Sequence, residues 1–222
     1  MQRIMTDLIS LLKTESAGRS KYFYNIMPIK NIPSVIQHGI LSFDKTYSLP
    51  HKSIALSSVQ DRRDNVHIPN GGRLHSYANL YFTYHNPMLY KRQDEAQDIC
   101  ILAIDQSVLN IEGCVLSDKN AASNMVRFYS PEEGIRNINF DLVFAQNWND
   151  QNPYAKSFKS ASKCAEILIP ACIPYEYIVG ACVVNKENEE NLKQLGFDKN
   201  ITVNPKVFYC KEGGNEYDYK NR

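Results

Sequence analysis

Glu166 interrupts the apolar run Cys164-Ala165-Glu166-Ile167-Leu168-Ile169, which otherwise has the composition of a buried strand. An ionised carboxylate is costly to bury without a partner or a task. For an isolated glutamate at a strand edge, solvent exposure would explain it. A distant second block turns attention to chemistry: Gly71-Gly72-Arg73-Leu74-His75-Ser76-Tyr77-Ala78-Asn79-Leu80-Tyr81-Phe82, then Asn86-Pro87-Met88-Leu89-Tyr90. Gly71-Gly72 allows a sharp turn or a close approach of backbone to ligand. Tyr77, Tyr81, Phe82 and Tyr84 could form a stacking wall. Each signal also has an ordinary reading, as a turn before a strand or as core aromatics. Taken together, the two blocks suggest a nucleotide-cleaving site.

Charge narrows the ligands. The 222 residues carry a formal net charge of only +1, which argues against a long footprint neutralising many phosphates. A polyanion must meet a local patch, and one is available where Lys52, Arg62, Arg63, Arg73, Lys91 and Arg92 outnumber Asp61 and Asp64. From charge alone, a solvated face is an equally good account of that patch. Six cysteines, Cys100, Cys114, Cys164, Cys172, Cys182 and Cys210, include no C-x-x-C pair and read as reduced core residues. The first residues lack the apolar stretch of a signal peptide and no window approaches a membrane span, so a cytoplasmic location and no membrane partner are expected.

The elements that must position these residues follow from periodicity. Residues 4–13 have a helical period, 22–26 read as a strand, and 31–39 carry a helix signature with proline in the first turn and Gly39 at the end. Strands are expected at 80–84, 99–104, 142–145, 165–169 and 178–184, and helices at 120–129 and 187–195. A chain that is 43% hydrophobic and 22% charged can bury one sizeable core, so a single mixed domain over 1–211 is expected, with 212–222 a frayed tail.

The joint pattern resembles a known family. Tyr24-Asn25-Ile26 before Asn31-Ile32, the Arg62-Arg63 pair, the Gly-Gly-x-Leu-His-x-Tyr-Ala-Asn-Leu-Tyr-Phe block, Asn86-Pro87-Met88-Leu89-Tyr90, Ser117-Asp118-x-Asn120-Ala121-Ala122-Ser123, Trp148 and Lys163-Cys164-Ala165-Glu166-Ile167-Leu168-Ile169 are similar to the DarT family of DNA ADP-ribosyltransferase toxins. The resemblance covers roughly residues 20–185. It implies an α/β (α+β) ADP-ribosyltransferase, PARP-like fold, in which a split, twisted sheet grips NAD+. It also implies transfer of ADP-ribose to a base of single-stranded DNA, with no metal, and pairing with a macrodomain-type ADP-ribosylhydrolase antitoxin.

Carried over residue by residue, Glu166 matches the catalytic glutamate. Arg63, or its neighbour Arg62, matches the arginine that contacts NAD+ near the reacting ribose. Asn25 stands where many members have a histidine on the nicotinamide ribose. Met27, Gly39, Tyr77 and Tyr81 complete the expected NAD+ set. Ser76 stands where an acid is expected before the tyrosine. The segment 152–163, expected as a loop, would present the acceptor through Tyr154, Lys156, Phe158, Lys159 and Lys163, a mixture of aromatic and basic residues suited to stacking and phosphate contact. The family includes thymine and guanine modifiers, and the Tyr77-Ala78-Asn79-Leu80-Tyr81 form of the central block leans toward guanine. Two other functions are to be weighed against transfer to DNA. One is ADP-ribosylation of RNA or protein, separated by product mass; the other is a silent NAD+- or DNA-binding module, separated by absence of nicotinamide release.

Overall fold

A computed structural model of the chain describes residues 7–46 and 57–210. Its strands are β1 (Phe23–Pro28), β2 (Ile40–Leu41), β3 (Tyr77–Tyr81), β4 (Ile99–Ile104), β5 (Val115–Ser117), β6 (Phe128–Tyr129), β7 (Glu166–Pro170), β8 (Cys172–Ile173), β9 (Ile178–Val183) and β10 (Asn200–Val203). Eight of them form one sheet in the order β10-β9-β4-β1-β3-β7-β5-β6, while β2 pairs with β8. Only β9–β10 is parallel; the other pairings are antiparallel. The helices are α1 (Leu8–Glu15), α2 (Ile32–His38), α3 (Phe43–Thr46), α4 (Ser57–Asp64), α5 (Pro87–Tyr90), α6 (Pro131–Asn137), α7 (Phe140–Val143), α8 (Pro153–Lys163) and α9 (Lys186–Gln194). No described helix is long and apolar enough to cross a membrane.

Strand alternation distributes the core over both faces of this sheet. Cys100, Leu102 and Ile104 of β4 enter one cluster, whereas Ile99 and Ile101 enter another. The same alternation acts on β7. Ile167 and Ile169 join the larger cluster, and Leu168 packs on the other side with Ile68, Leu74, Tyr77 and Ala121. Glu166, two residues before Leu168, therefore shares Leu168's face.

The sheet is split beside that face. β1 pairs with β4 along all six of its residues but touches β3 only at Tyr24↔Tyr81, while β3 pairs with β7 along its full length. Beyond Tyr24 and Tyr81 the two strands part and open a cleft. Asn25 Nδ2 donates to the Asn79 carbonyl at 3.0 Å across the opening, satisfying an acceptor that strand pairing leaves over.

Several expectations are corrected. Residues 120–129 form turns and then β6, not a helix: Asn120 accepts the Ala122 N–H on its side chain and the Ser123 N–H on its carbonyl, and Met125 has φ +59°, so local bonds replace the helical ladder. The expected strand at 142–145 is the end of α7, started by Asn139, whose side chain accepts from the Leu142 N–H; a short apolar run fits either state. The expected acceptor loop is α8, capped by Asn152 with Pro153 in the first turn. β3 begins at Tyr77, three residues ahead of the expected strand, because Tyr77 pairs with Pro170. The opening helix starts at Leu8; residues 4–6, Lys52 and the tail lie outside the described residues.

Gly39 closes α2 at φ +76°, and a Cβ there would lie 2.3 Å from the Ile173 carbonyl oxygen. Left-handed backbone and the close approach of β8 act together, so Gly39→Ala should destabilise the fold by about 2–3 kcal/mol or more, read as a lower chemical-denaturation midpoint. An unchanged midpoint would refute this account of the turn.

Candidate active site

Glu166 opens β7 and is fully buried. It sits in register with Tyr81 of β3 on one side and Ser117 of β5 on the other. Its carboxylate is held by three donor contacts: Arg63 Nη1 reaches Oε1 at 3.1 Å and Oε2 at 3.0 Å, and the Ala121 N–H reaches Oε1 at 2.8 Å. The Arg63 side chain is itself only 9% exposed, so the pair is largely out of water and unscreened. Burial, followed by the charge of Glu166, drives the Tyr81 phenol upward, which keeps it a protonated donor beside the carboxylate. The same two causes push the Cys164 thiol up to about 12, making it an unreactive wall.

Arg63 lies near the end of α4, and a turn before β3 fixes that helix. His75 Nε2 lies 3.1 Å from Gln60 Oε1 and Nδ1 lies 3.3 Å from Asp64, with its ring against Phe43 of α3 at 4.3 Å between centroids. Arg73 joins Asp44 of α3 at 3.1 Å and Asp64 of α4 at 3.3 Å. Ser76 turns its hydroxyl to the Arg73 carbonyl at 2.6 Å. The acid expected at position 76 is thus absent from the turn, and Asp64 supplies the carboxylate that organises Arg73 and His75.

In front of this pair the split opens into a cleft of about 1450 Å³. Of the residues expected to hold NAD+, Asn25, Met27, Tyr77, Tyr81, Arg62 and Arg63 line it. Glu166 does not line it, because Arg63 covers the carboxylate. Gly39 is not a lining residue either; it serves the turn that delivers Ile40 and Leu41 to the wall. The described lining includes six cations, Arg62, Arg63, Lys91, Arg92, Lys119 and Arg127, against one acid, Asp118; Arg63 is paired with Glu166, Arg92 with Glu95 and Lys119 with Asp118, and the lining still carries more positive than negative groups.

Helix α8 borders the mouth. Tyr154, Ser157, Phe158 and Ala161 follow the helical period and all line the cleft. Tyr154 is 87% exposed and Phe158 51%, joined by Met125 at 88%, an apolar rim open to solvent beside a charged interior. Lys119 Nζ stands 5.3 Å from the Phe158 ring centre. Lys156 and Lys159 do not line the cleft, and Lys159 is paired with Asp150 at 2.7 Å.

Lys163 is a correction to the expected DNA contacts. It is 1% exposed, donates to the carbonyls of Val143 at 2.9 Å and Ala145 at 2.7 Å, and lies 5.9 Å from the Trp148 ring centre; burial pulls it down to about 8. It ties the end of α7 to the end of α8 and does not present its charge to a ligand. Sequence reasoning also passed over Ser117 and the Ala121 N–H as site groups, although both lie in a motif it singled out, because a backbone donor has no residue-type signature.

Removing Arg63 strands a buried carboxylate, so Arg63→Ala should cost about 3–5 kcal/mol of stability, whereas Arg62→Ala, at an exposed position, should leave the melting temperature nearly unchanged. The opposite pattern would place the functional arginine one residue earlier. Lys163→Met should lower stability by about 2 kcal/mol through two carbonyls left unpaired, read as a lower chemical-denaturation midpoint; an unchanged midpoint would refute the structural role of this lysine.

Comparison with known proteins bears on this geometry. A family model described as "ssDNA thymidine ADP-ribosyltransferase, DarT" matches residues 24–209. A DNA ADP-ribosyl transferase–DNA ADP-ribosyl glycohydrolase fusion protein of Thermosipho africanus is 29% identical over 194 residues, covering 84% of this chain and 48% of that protein. A DNA ADP-ribosyl transferase of Thermus sp. (strain 2.9) is 26% identical over 184 residues, covering 78% of this chain and 86% of that protein. The chain therefore spans about half the length of the Thermosipho fusion protein and most of the Thermus enzyme. Among solved structures, Thermosipho africanus DarTG in complex with ADP-ribose matches with a TM-score of 0.75 at 27% identity over 85% of this chain and 51% of that one. Thermus sp. 2.9 DarT in complex with ADP-ribosylated ssDNA matches with a TM-score of 0.74 at 23% identity over 86% of this chain and 97% of that one, a likeness of fold. With a family model matching most of its length and its sheet split around a buried Arg63–Glu166 pair, this chain belongs to the DarT family of DNA ADP-ribosyltransferases.

Proposed function

We propose that the chain transfers ADP-ribose from NAD+ to a base of single-stranded DNA, with Glu166 as the catalytic carboxylate. The observation that carries this reading is the fully buried Glu166 held behind Arg63, at the split of the sheet and at the back of a cationic cleft. NAD+ suits that cleft, since its pyrophosphate is an acceptor for the cations and its rings match the Tyr77 and Tyr81 wall. A pyrophosphate also competes for Arg63. As the guanidinium turns to the phosphates it uncovers Glu166, so that the carboxylate meets the ribose only when NAD+ is in place.

The chemistry then follows from charge. The bond between the ribose C1′ and the nicotinamide nitrogen breaks, and nicotinamide leaves with the electron pair. Positive charge grows on the ribose and is stabilised by Glu166. A base nitrogen attacks C1′, and its proton passes to the same carboxylate. Asn25 hydrogen-bonds a ribose hydroxyl through its amide, which donates and accepts but carries no charge.

The acceptor strand approaches over α8, where Tyr154 and Phe158 offer stacking surfaces and Lys119 and Arg127 offer charge to phosphates. The description of the matching family model names thymidine, which favours thymine over the guanine suggested by the central block. The Thermosipho relative joins its transferase to a glycohydrolase. That fusion supports an ADP-ribosylhydrolase, which we take to be of macrodomain type, as the antitoxin that reverses this chain's mark, with the chain itself acting as the toxin.

The test is mass spectrometry of short oligonucleotides incubated with NAD+ and the protein. A single strand should gain one ADP-ribose on a thymine, and annealing its complement should lower the rate about a hundredfold, because extrusion from a duplex costs a few kcal/mol. Glu166→Gln should reduce product by about 10³-fold. Tyr154→Ala and Phe158→Ala should raise the KM for DNA about tenfold with little change in nicotinamide release. Modification of protein or RNA in place of DNA, or near-normal product from Glu166→Gln, would overturn the reading.

A further inference from the structure

We infer that Ser117 is a positioning residue for the transfer reaction: it fixes the turn whose Ala121 N–H pins Oε1 of Glu166, which leaves Oε2 as the oxygen that meets the reacting groups. This inference rests on Glu166 being the catalytic carboxylate. Ser117 is the last residue of β5, fully buried and in register with Glu166, the first residue of β7. Its Oγ accepts from the Glu166 N–H at 3.2 Å and donates to the Lys119 carbonyl at 2.7 Å. One hydroxyl thus ties the start of the catalytic strand to the turn that leaves β5.

Two further bonds fix the same turn. The Arg127 N–H donates to Asp118 Oδ1 at 2.9 Å, and the Asn120 N–H donates to the Ala161 carbonyl of α8 at 2.9 Å. The next N–H along the chain is that of Ala121, directed at Oε1 at 2.8 Å from a fully buried position. Oε1 therefore has a backbone donor as well as Arg63, whereas the contact to Oε2 comes from Arg63. When Arg63 turns to a pyrophosphate, Ala121 still holds Oε1 and stops the carboxylate from rotating, while Oε2 becomes available. The bond to Ala161 couples this turn to the helix on which the acceptor strand would lie, so the oxygen is aimed by the element that receives the base.

A serine that only satisfied the Lys119 carbonyl would affect stability and leave the balance of kinetic constants alone. The test compares the full chain with Ser117→Ala and Ser117→Thr, following nicotinamide release and oligonucleotide modification, with melting temperature recorded for each. Ser117→Ala should lower kcat about tenfold in both assays, as loss of one orienting hydrogen bond predicts, with the KM for NAD+ changed by less than about twofold. Ser117→Thr, which restores the hydroxyl, should recover most of that loss. If Ser117→Ala does not fold, Ser117→Cys, with a weaker donor of similar size, should show the same split to a smaller degree. An unchanged kcat in the folded variant, a parallel rise in KM, or no recovery with threonine would overturn the role. A wild-type chain that releases nicotinamide but leaves DNA unmodified would refute the acceptor assignment alone, with Ser117 still judged on nicotinamide release. A fully active Glu166→Gln would remove the catalytic premise and the role of Ser117 with it.

Discussion

A fully buried carboxylate is the constraint on which the site depends. Left alone, the charge of Glu166 would cost several kcal/mol. Arg63 and the Ala121 N–H compensate it, and each requirement reaches into the fold. Arg63 must be delivered by α4, and α4 is held by the contacts of His75 and Arg73 with Gln60, Asp64 and Asp44. Ala121 must be delivered by a turn that fails to become a helix. The sheet provides the ledge between them, because β7 carries Glu166 between Tyr81 and Ser117.

The split between β1 and β3 converts that ledge into a cleft. In a continuous sheet, Asn25 and Asn79 would spend their backbone groups on each other's strands; here one side-chain amide bridges the gap. Charge follows the same geometry. Six lining cations come from segments far apart in the chain; Glu166, Glu95 and Asp118 pair with three of them, and acids elsewhere bring the total near neutral. Net charge describes solubility, whereas the local field decides which ligand the cleft attracts.

Short connections tie the rim of the cleft to the buried carboxylate. Lys163 fastens the end of α8 to the carbonyls that close α7, three residues before Glu166. Asn120 fastens the turn after β5 to Ala161 in the same helix. Tyr154 and Phe158 of the aromatic rim are thus carried by the helix whose C-terminal end leads directly into the strand that opens with Glu166.

The sequence by itself determined the residue types and most of the elements. The apolar runs fixed β4 and β9, the capping pattern around Asn31 to Gly39 fixed α2, and the interruption at Glu166 marked the carboxylate, because periodicity and burial cost are local properties. Its errors were of one kind. The stretches at 120–129, 142–145 and 152–163 carry mixed local signals, and long-range partners or side-chain caps decided their states. Only the tertiary structure showed Arg63 against Glu166, sent Lys163 inward, made Gly39 a packing point outside the cleft lining, and produced the Ala121 donor. Those outcomes depend on which groups meet after residues 18 positions apart, for Lys163, or 103 apart, for Arg63, have packed together, and residue types alone carry no measure of that distance.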